Sequence, residues 1–139
     1  MKIENIMSTP VVTADIDDSL LTIKEIFDNC NFHHVLILNS GILVGVISDR
    51  DLLKAISPNI GTMAETSKDA ASLNKKAHQI MSREPVAVEK DATIVSTIDI
   101  FMAHDISCIP VINDEDEPVG IISWRDILGA VLHHSKNSK

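Results

Sequence analysis

The stretch GVISDRDLLKA at residues 45–55 returns as GIISWRDILGA at residues 120–130, with seven of the eleven positions identical. In both copies a glycine is followed by two β-branched residues and a serine. One variable residue and an Arg-Asp pair come next, and further apolar residues follow that pair. The pattern before the serine predicts a strand, and the spacing after it predicts a helix. The identity between the two copies indicates that this strand-to-helix corner has been duplicated.

The duplication extends through most of the chain. KIENIMS at residues 2–8 returns as KAHQIMS at 76–82, PVVT at Pro10 returns as PVAV at Pro85, and VLILN before the first corner returns as IPVIN before the second. We therefore divide the chain into a first repeat, a helical linker, a second repeat and a polar tail that is expected to fray. These segments span residues 1–57, 58–75, 76–132 and 133–139.

The pattern of each repeat predicts the order β-α-β-β-α after a short helical lead-in. The first lead-in is residues 2–8 and the second is residues 76–82. The first strands are predicted at PVVT and PVAV, because proline suits the first residue of a strand. The helices that follow have candidate N-caps, and these are Asp17, Asp18, Ser19, Asp91 and Thr93. In the linker, Thr66 or Ser67 could cap a helix that runs into the second lead-in. The fold class predicted is α/β, or α+β: two pseudo-symmetric repeats, each a small sheet with flanking helices, packed as one compact unit.

Composition restricts the partners. The net charge of −8 argues against nucleic acid and against an anionic membrane surface. The two cysteines, Cys30 and Cys108, match neither a disulfide framework nor a zinc pattern. No apolar stretch is long enough for a signal peptide or a membrane span, so we expect a soluble cytoplasmic protein with reduced thiols.

The serine and aspartate of each corner allow two interpretations. In the structural one, Ser48 caps the following helix, Asp51 completes the cap, and Gly45 and Gly120 permit a close backbone approach. In the functional one, the aspartate accepts hydrogen bonds from the two ribose hydroxyls of a nucleotide and the serine joins that network. The helix N-terminus and the adjacent arginine would then bind phosphate.

These motifs resemble the cystathionine-β-synthase (CBS) domain, which occurs as tandem pairs. Both corners fit the family signature of glycine, apolar residues, Ser or Thr, two variable positions and Asp. CIPVINDED at residues 108–116 fits the second hallmark, whereas Leu36 replaces the usual proline in the first repeat. The resemblance implies that an adenine nucleotide or a related adenosyl compound binds in two clefts between the repeats.

The resemblance also assigns residues to each cleft. The ribose and phosphate positions are Ser48, Arg50 and Asp51 in one cleft and Ser123, Arg125 and Asp126 in the other. Each cleft is expected to take its base-contacting residues from the opposite repeat. The residues assigned to the Ser123 cleft are Val11, Phe32, His33 and His34, and those assigned to the Ser48 cleft are Val86, Ile106, Ser107 and Cys108.

The chain therefore predicts a stand-alone regulatory module that signals through an unknown effector protein. The family implies a homodimer. No required cofactor, metal site or catalytic residue is expected, because the chain contains no zinc spacing, nucleophile elbow, paired carboxylates or P-loop. His33 and His34 are expected to line a pocket or a strand face, and Trp124 is expected to pack against a partner subunit or the other repeat. The alternative is a structural module that dimerises and docks without any ligand.

Overall fold

The computed structural model describes residues 1–137, without the side chain of Asn137. The strands are β1 Thr13–Asp15, β2 His34–Asn39, β3 Ile42–Ser48, β4 Ser82–Arg83, β5 Val88–Glu89, β6 Cys108–Ile112 and β7 Pro118–Ser123. The α-helices are α1 Leu20–Asn29, α2 Asp49–Ala55, α3 Ser67–Ala71, α4 Ala77–Ile80, α5 Ile94–Ala103 and α6 Trp124–Asn137. Single 3₁₀ turns lie at Ile3–Asn5 and Ser72–Asn74. The mixed α/β class with two small sheets and flanking helices is confirmed.

Contacts divide the chain into two compact units, and each is described by itself. Unit A is Val12–Glu84, and unit B combines Met1–Val11 with the chain from Pro85 onward. The unit boundaries do not follow the sequence repeats, because the lead-in of each repeat belongs to the unit that holds the other repeat's strands. Ile3 of the first lead-in is fully buried in unit B, and its counterpart Ala77 is fully buried in unit A.

Unit A has a four-stranded sheet in the order β1-β2-β3-β4. β1 runs parallel to β2, and the other neighbours are antiparallel. The two-residue turn between β2 and β3 places Ser40 and Gly41 at φ 53° and 83°, the left-handed conformation that a tight hairpin of this kind requires. Val35 and Ile37 of β2 and Ile47 of β3 form one hydrophobic cluster with Leu20 and Ile23 of α1.

Unit B has the corresponding sheet β5-β6-β7, with β5 parallel to β6 and β6 antiparallel to β7. Asn113 holds the turn between β6 and β7, because its side-chain oxygen accepts hydrogen bonds from the N–H groups of Glu115 and Glu117 at 2.9 and 3.0 Å. Val111 and Ile122 are fully buried against Phe101 of α5. The hydrophobic clusters of the two units are therefore built from equivalent elements.

Helix starts agree with the sequence, whereas the first strand of each repeat starts late. Ser19 accepts a hydrogen bond from the N–H of Thr22 and caps α1, and Thr93 accepts one from Ser96 and caps α5. The strands expected at Pro10 and Pro85 begin about three residues further on, at Thr13 and Val88. Proline has no N–H to donate to a ladder, so pairing starts only after the apolar run has begun.

The linker does not form the continuous helix expected from its apolar spacing. Thr66 caps α3 in a capping box with Asp69, as expected, but α3 ends at Ala71. A 3₁₀ turn follows at Ser72–Asn74, and Lys75 and Lys76 are extended before α4 begins at Ala77. The break occurs because backbone groups between the helices pair with the first repeat instead. Lys75 accepts a hydrogen bond from the N–H of Leu20 at 2.8 Å, and Ala77 donates one to Asp18 at 2.8 Å.

The expectation of a frayed tail is wrong for residues 133–137. α6 continues through His133 and His134 to Asn137. His134 and Lys136 lie in the last turn, where cationic side chains interact favourably with the negative end of the helix dipole. The rest of the tail, Ser138 and Lys139, lies outside the described residues.

Candidate functional site

The first corner is the junction between β3 and α2. Ser48 is extended, with φ −88° and ψ 163°, so the chain passes directly from strand to helix. The Ser48 hydroxyl accepts a hydrogen bond from the N–H of Asp51 at 3.1 Å, and the Asp51 carboxylate accepts one from the N–H of Ser48 at 2.9 Å. This capping box confirms the structural interpretation of both residues and leaves their ligand role undecided. Arg50 is exposed beside them.

The second corner, between β7 and α6, repeats this geometry and adds a contact. Asp126 Oδ2 accepts a hydrogen bond from the N–H of Ser123 at 2.9 Å and one from its hydroxyl at 3.2 Å. The Ser8 hydroxyl, from the first lead-in, also lies 3.1 and 3.2 Å from the two Asp126 carboxylate oxygens. Sequence reasoning missed Ser8. The repetition of IMS marks Ser8 as part of the repeat, but it does not indicate which strand end the residue contacts.

The glycine that opens each corner has a structural explanation. A Cβ on Gly45 would lie 2.9 Å from Met81 Cγ and closer still to its sulfur, and one on Gly120 would lie 2.7 Å from Met7 Cγ. Met7 and Met81 are the methionines of the two IMS sequences, and each packs over the glycine within its own unit. The close approach expected at both glycines is confirmed, and it is made by a methionine side chain.

A histidine pair borders the first corner. His33 precedes β2 rather than lying on it, and its Nδ1 is 3.0 Å from Asp49 Oδ2. That hydrogen bond is the main cause that lowers the pKa of the Asp49 carboxyl. His34 begins β2, opposite Ser48 in the ladder, and burial lowers its pKa while the charges of Asp49 and Asp51 oppose that shift. The edge of the corner thus carries an acid and two imidazoles.

The second corner has an aromatic residue where the first has Asp49. The Trp124 ring lies 4.8 Å from that of Phe101, centroid to centroid, with 34° between the planes. Trp124 was expected to contact a partner subunit or the other repeat, but this contact is with α5 of its own repeat. The two corners therefore have the same caps and different flanking chemistry.

The remaining predicted base-pocket residues precede a strand or begin one, and they are Val11, Phe32, Val86, Ile106, Ser107 and Cys108. Ile106 packs against the hydrophobic cluster of unit B. Cys108 is buried opposite Ser123 in the ladder, and burial raises the pKa of its thiol to about 12. The structure thus brings each corner serine beside the preceding strand of its own repeat. The expected combinations with the opposite repeat remain predictions.

The described residues show neither a metal-binding cluster nor a membrane-spanning helix. Residues 1–137 contain no cluster of three or more His, Cys, Asp or Glu side chains able to hold a metal ion. None of the helices in that range has the length and apolar character that a membrane span requires.

Comparison with known proteins is decisive for the family. The model of the CBS domain matches the chain twice, at residues 3–58 and 77–133. The chain belongs to the CBS domain family. Its curated relatives include the uncharacterized protein MJ1426 of Methanocaldococcus jannaschii, which is 27% identical, with 95% of this chain and 92% of that protein aligned.

Two solved structures resemble this CBS pair over almost its whole length. The CBS domain pair of protein MJ0100, solved in complex with 5′-methylthioadenosine and S-adenosyl-L-methionine, is 26% identical with a TM-score of 0.75 and covers 94% of this chain and 99% of its own. CBSX2, solved in complex with AMP, is 16% identical with a TM-score of 0.78 and covers 96% of this chain and 98% of its own. The second likeness concerns the fold alone.

Proposed function

We propose that this CBS pair is a regulatory module that binds an adenine nucleotide, such as AMP, ADP or ATP, or a related adenosyl compound. The observation that carries the proposal is the repeated corner, in which a serine and an aspartate meet at a helix N-terminus beside an exposed arginine. The adenosyl ligands bound by the CBS pair of MJ0100, a relative of similar length, support the same ligand class.

The corner has the groups that a nucleoside phosphate requires. The capping contact uses Oδ2 of Asp51, so the other carboxylate oxygen of this residue is the one that would accept a hydrogen bond from a ribose hydroxyl. Charge-assisted hydrogen bonds of this kind are among the stronger ones in proteins. Arg50 and Arg125 are exposed and can reach a phosphate from the first turn of α2 and α6. Their guanidinium groups and the positive end of the helix dipole both favour an anion.

Output would pass through an effector protein, because ligand binding by itself only shifts the equilibrium between conformations. We include a cytoplasmic location and the absence of catalysis in the proposal. We also include the assignment of base contacts from the opposite repeat.

The test is a thermal-shift panel with AMP, ADP, ATP, S-adenosylmethionine and NAD. A ligand at 100 times its Kd stabilises the folded chain by about 2.7 kcal/mol. In the variant D51N/D126N each side chain keeps an oxygen that can accept the capping N–H, but it loses the charge and half the acceptor capacity. We therefore expect a folded protein whose melting temperature no longer rises with nucleotide.

Asp69 provides a matched control, because it forms the same kind of capping box with Thr66 outside the repeated corners. D69N should lose a similar small amount of stability and keep the full response to nucleotide. If D51N/D126N responds as strongly as D69N, the corners are caps only. If none of the five compounds stabilises the wild-type chain, the ligand-sensing function is wrong.

A homodimer belongs to the same proposal. Leu128, Val131 and Leu132 are apolar residues of α6 with more than half of their surface exposed. Light scattering should give twice the chain mass for the wild type and the monomer mass for L128E. The control I42E introduces the same charge at an exposed apolar position on the β2–β3 hairpin and should stay dimeric. A monomeric wild type would contradict the dimer.

The alternative function is a ligand-free interaction module. It is favoured by the capping box at Ser48, which is complete without a ligand, and by the exposed apolar residues of α6. A dimer that does not respond to any nucleotide would support this alternative.

A further inference from the structure

The second corner contains a hydroxyl group that competes for its own carboxylate. Ser8 Oγ lies within hydrogen-bond distance of both oxygens of Asp126, at 3.1 and 3.2 Å, while Asp126 also accepts from Ser123. Ser8 and Asp126 line a cavity of about 700 Å³ together with Arg125 and Gly129 of α6. This volume lies within the range of small-molecule sites in proteins. All of these residues belong to unit B.

The first corner lacks this contact. Ser82 is the counterpart of Ser8, since Ser82 pairs with Val46 and Ser8 pairs with the equivalent Ile121. The Asp51 carboxylate accepts a hydrogen bond from the N–H of Ser48, and within the described residues no hydrogen bond joins the Ser82 hydroxyl to it. The backbone arrangement is therefore the same in both units, and the hydroxyl-to-carboxylate contact occurs in one of them.

A ribose needs the same acceptor capacity that Ser8 uses. A carboxylate has two oxygens with about four lone-pair sites, and vicinal hydroxyls would take two of them in a bidentate arrangement. At Asp126 the N–H and hydroxyl of Ser123 and the hydroxyl of Ser8 already occupy three. One site remains free, so a bidentate ribose must displace one of the two hydroxyls. The Ser123 hydroxyl belongs to the cap of α6, so the Ser8 hydroxyl is the one displaced. At Asp51 the equivalent Ser82 hydroxyl makes no such contact.

We infer that Ser8 is a specificity-determining residue, which lowers the affinity of the second corner for ligands with two free ribose hydroxyls. The inference rests on the proposed function, because it concerns the same carboxylate. The two corners then bind nucleotides unequally, and the weaker one is the corner that the first lead-in contacts.

The experiment isolates the second corner in the D51N background and titrates the full chain with AMP by calorimetry. Removing the competing hydroxyl in S8A should tighten AMP binding by about tenfold, the equivalent of one hydrogen bond of about 1.4 kcal/mol. The conservative variant S8T keeps a hydroxyl and should bind like the parent. S82A removes the equivalent serine of the other lead-in and should leave AMP affinity unchanged.

A second ligand separates competition from a general structural effect. 2′-Deoxy-AMP has one ribose hydroxyl fewer and competes less with Ser8, so S8A should tighten its binding by clearly less than it tightens AMP binding. A purely structural change would affect both ligands equally. The Ser8 backbone pairs with Ile121 in both directions, and alanine keeps those hydrogen bonds.

The outcomes are distinguishable. Unchanged or weaker AMP binding in S8A, or an equal gain for both ligands, would overturn the inference and leave the proposed function intact if D126N abolishes binding. If neither the wild type nor S8A binds AMP, the proposed function is wrong and the inference is wrong with it.

Discussion

Replacing Gly45 with alanine tests the structural explanation of the glycine that opens each corner. The added Cβ would lie 2.9 Å from Met81 Cγ and 3.0 Å from the backbone oxygen of Ser82. Carbon atoms in good contact lie at about 3.5–4.0 Å, so Met81 and the backbone of β4 must both move. Overpacking of this kind costs about 1–3 kcal/mol, and alanine recovers about 0.5–1 kcal/mol of strand stability relative to glycine. We expect G45A to lose about 1–2 kcal/mol.

The second corner should be more tolerant of the same change. The three nearest atoms to a Cβ on Gly120 all belong to the Met7 side chain, and a methionine side chain can change rotamer easily. The overpacking cost and the strand gain then nearly cancel, so G120A should be within about 0.5 kcal/mol of the wild type. G129A is the control, because nothing lies within 4 Å of its added Cβ and Gly129 is in α6. It should gain up to about 1 kcal/mol of helix propensity.

Urea unfolding measures these differences, and a double-mutant cycle with M81A identifies the contact. M81A alone creates a cavity, but in the G45A background it also removes the clash. The double variant should therefore be more stable than the sum of the two single losses by about 1–2 kcal/mol. A G45A protein with the wild-type urea midpoint, or strictly additive losses, would refute the packing explanation of Gly45.

Two side chains provide further predictions. The pKa of His34 is lower in the folded chain than in the unfolded chain, so the unfolded chain binds this proton first as the pH falls below 6.5. The contribution of His34 to stability should therefore be full above that pH and decline toward the lower folded pKa. H34Q should weaken the pH dependence of the urea midpoint between pH 7.5 and 5.5, and an unchanged pH dependence would contradict the assignment. Cys108 is buried with a pKa of about 12, whereas Cys30 is exposed. A disulfide reagent should therefore modify Cys30 rapidly in the native chain and Cys108 only in urea. Rapid modification of both thiols would contradict this prediction and show that β6 opens readily.

Local chemistry explains which parts of the fold could be predicted from the sequence. Ser19, Thr93 and Thr66 cap their helices because a hydroxyl one residue before an apolar helical pattern can bond free N–H groups only a few residues away. The Ser48 capping box follows from the same short-range geometry. These features depend on a few neighbouring residues, so the sequence contains all the information they need.

The missed features depend on contacts between distant segments. The repeat shows that the two lead-ins are equivalent, but equivalence does not determine which set of strands each one packs on. The helix expected through the linker is interrupted because the backbone at Lys75 and Ala77 pairs with Leu20 and Asp18, more than fifty residues earlier. Apolar periodicity cannot reveal that competition, because the spacing of residues 70–80 is helical throughout.

The Ser8 contact combines both kinds of information. The role of Asp126 at the corner follows from its position three residues after Ser123, whereas the approach of Ser8 depends on the first lead-in packing in unit B. The Ser8 contact therefore distinguishes the two corners chemically, although the two motifs look equal in sequence.

The residues that flank the two corners differ in charge, and this difference predicts different ligand preferences. At the first corner, Asp49 places a second negative charge beside Arg50, and the lowered pKa of the Asp49 carboxyl keeps it ionised. That charge disfavours a phosphate within a few ångströms, since like charges repel where the solvent screening is incomplete. At the second corner Trp124 stands in place of Asp49, so Arg125 has no acidic neighbour at that position, and the Ser8 hydroxyl lies within hydrogen-bond distance of Asp126. We therefore expect the first corner to favour adenosyl compounds with little charge and the second to gain more from each added phosphate. A duplicated chain can thus keep two identical caps and still distinguish two ligands of one chemical class.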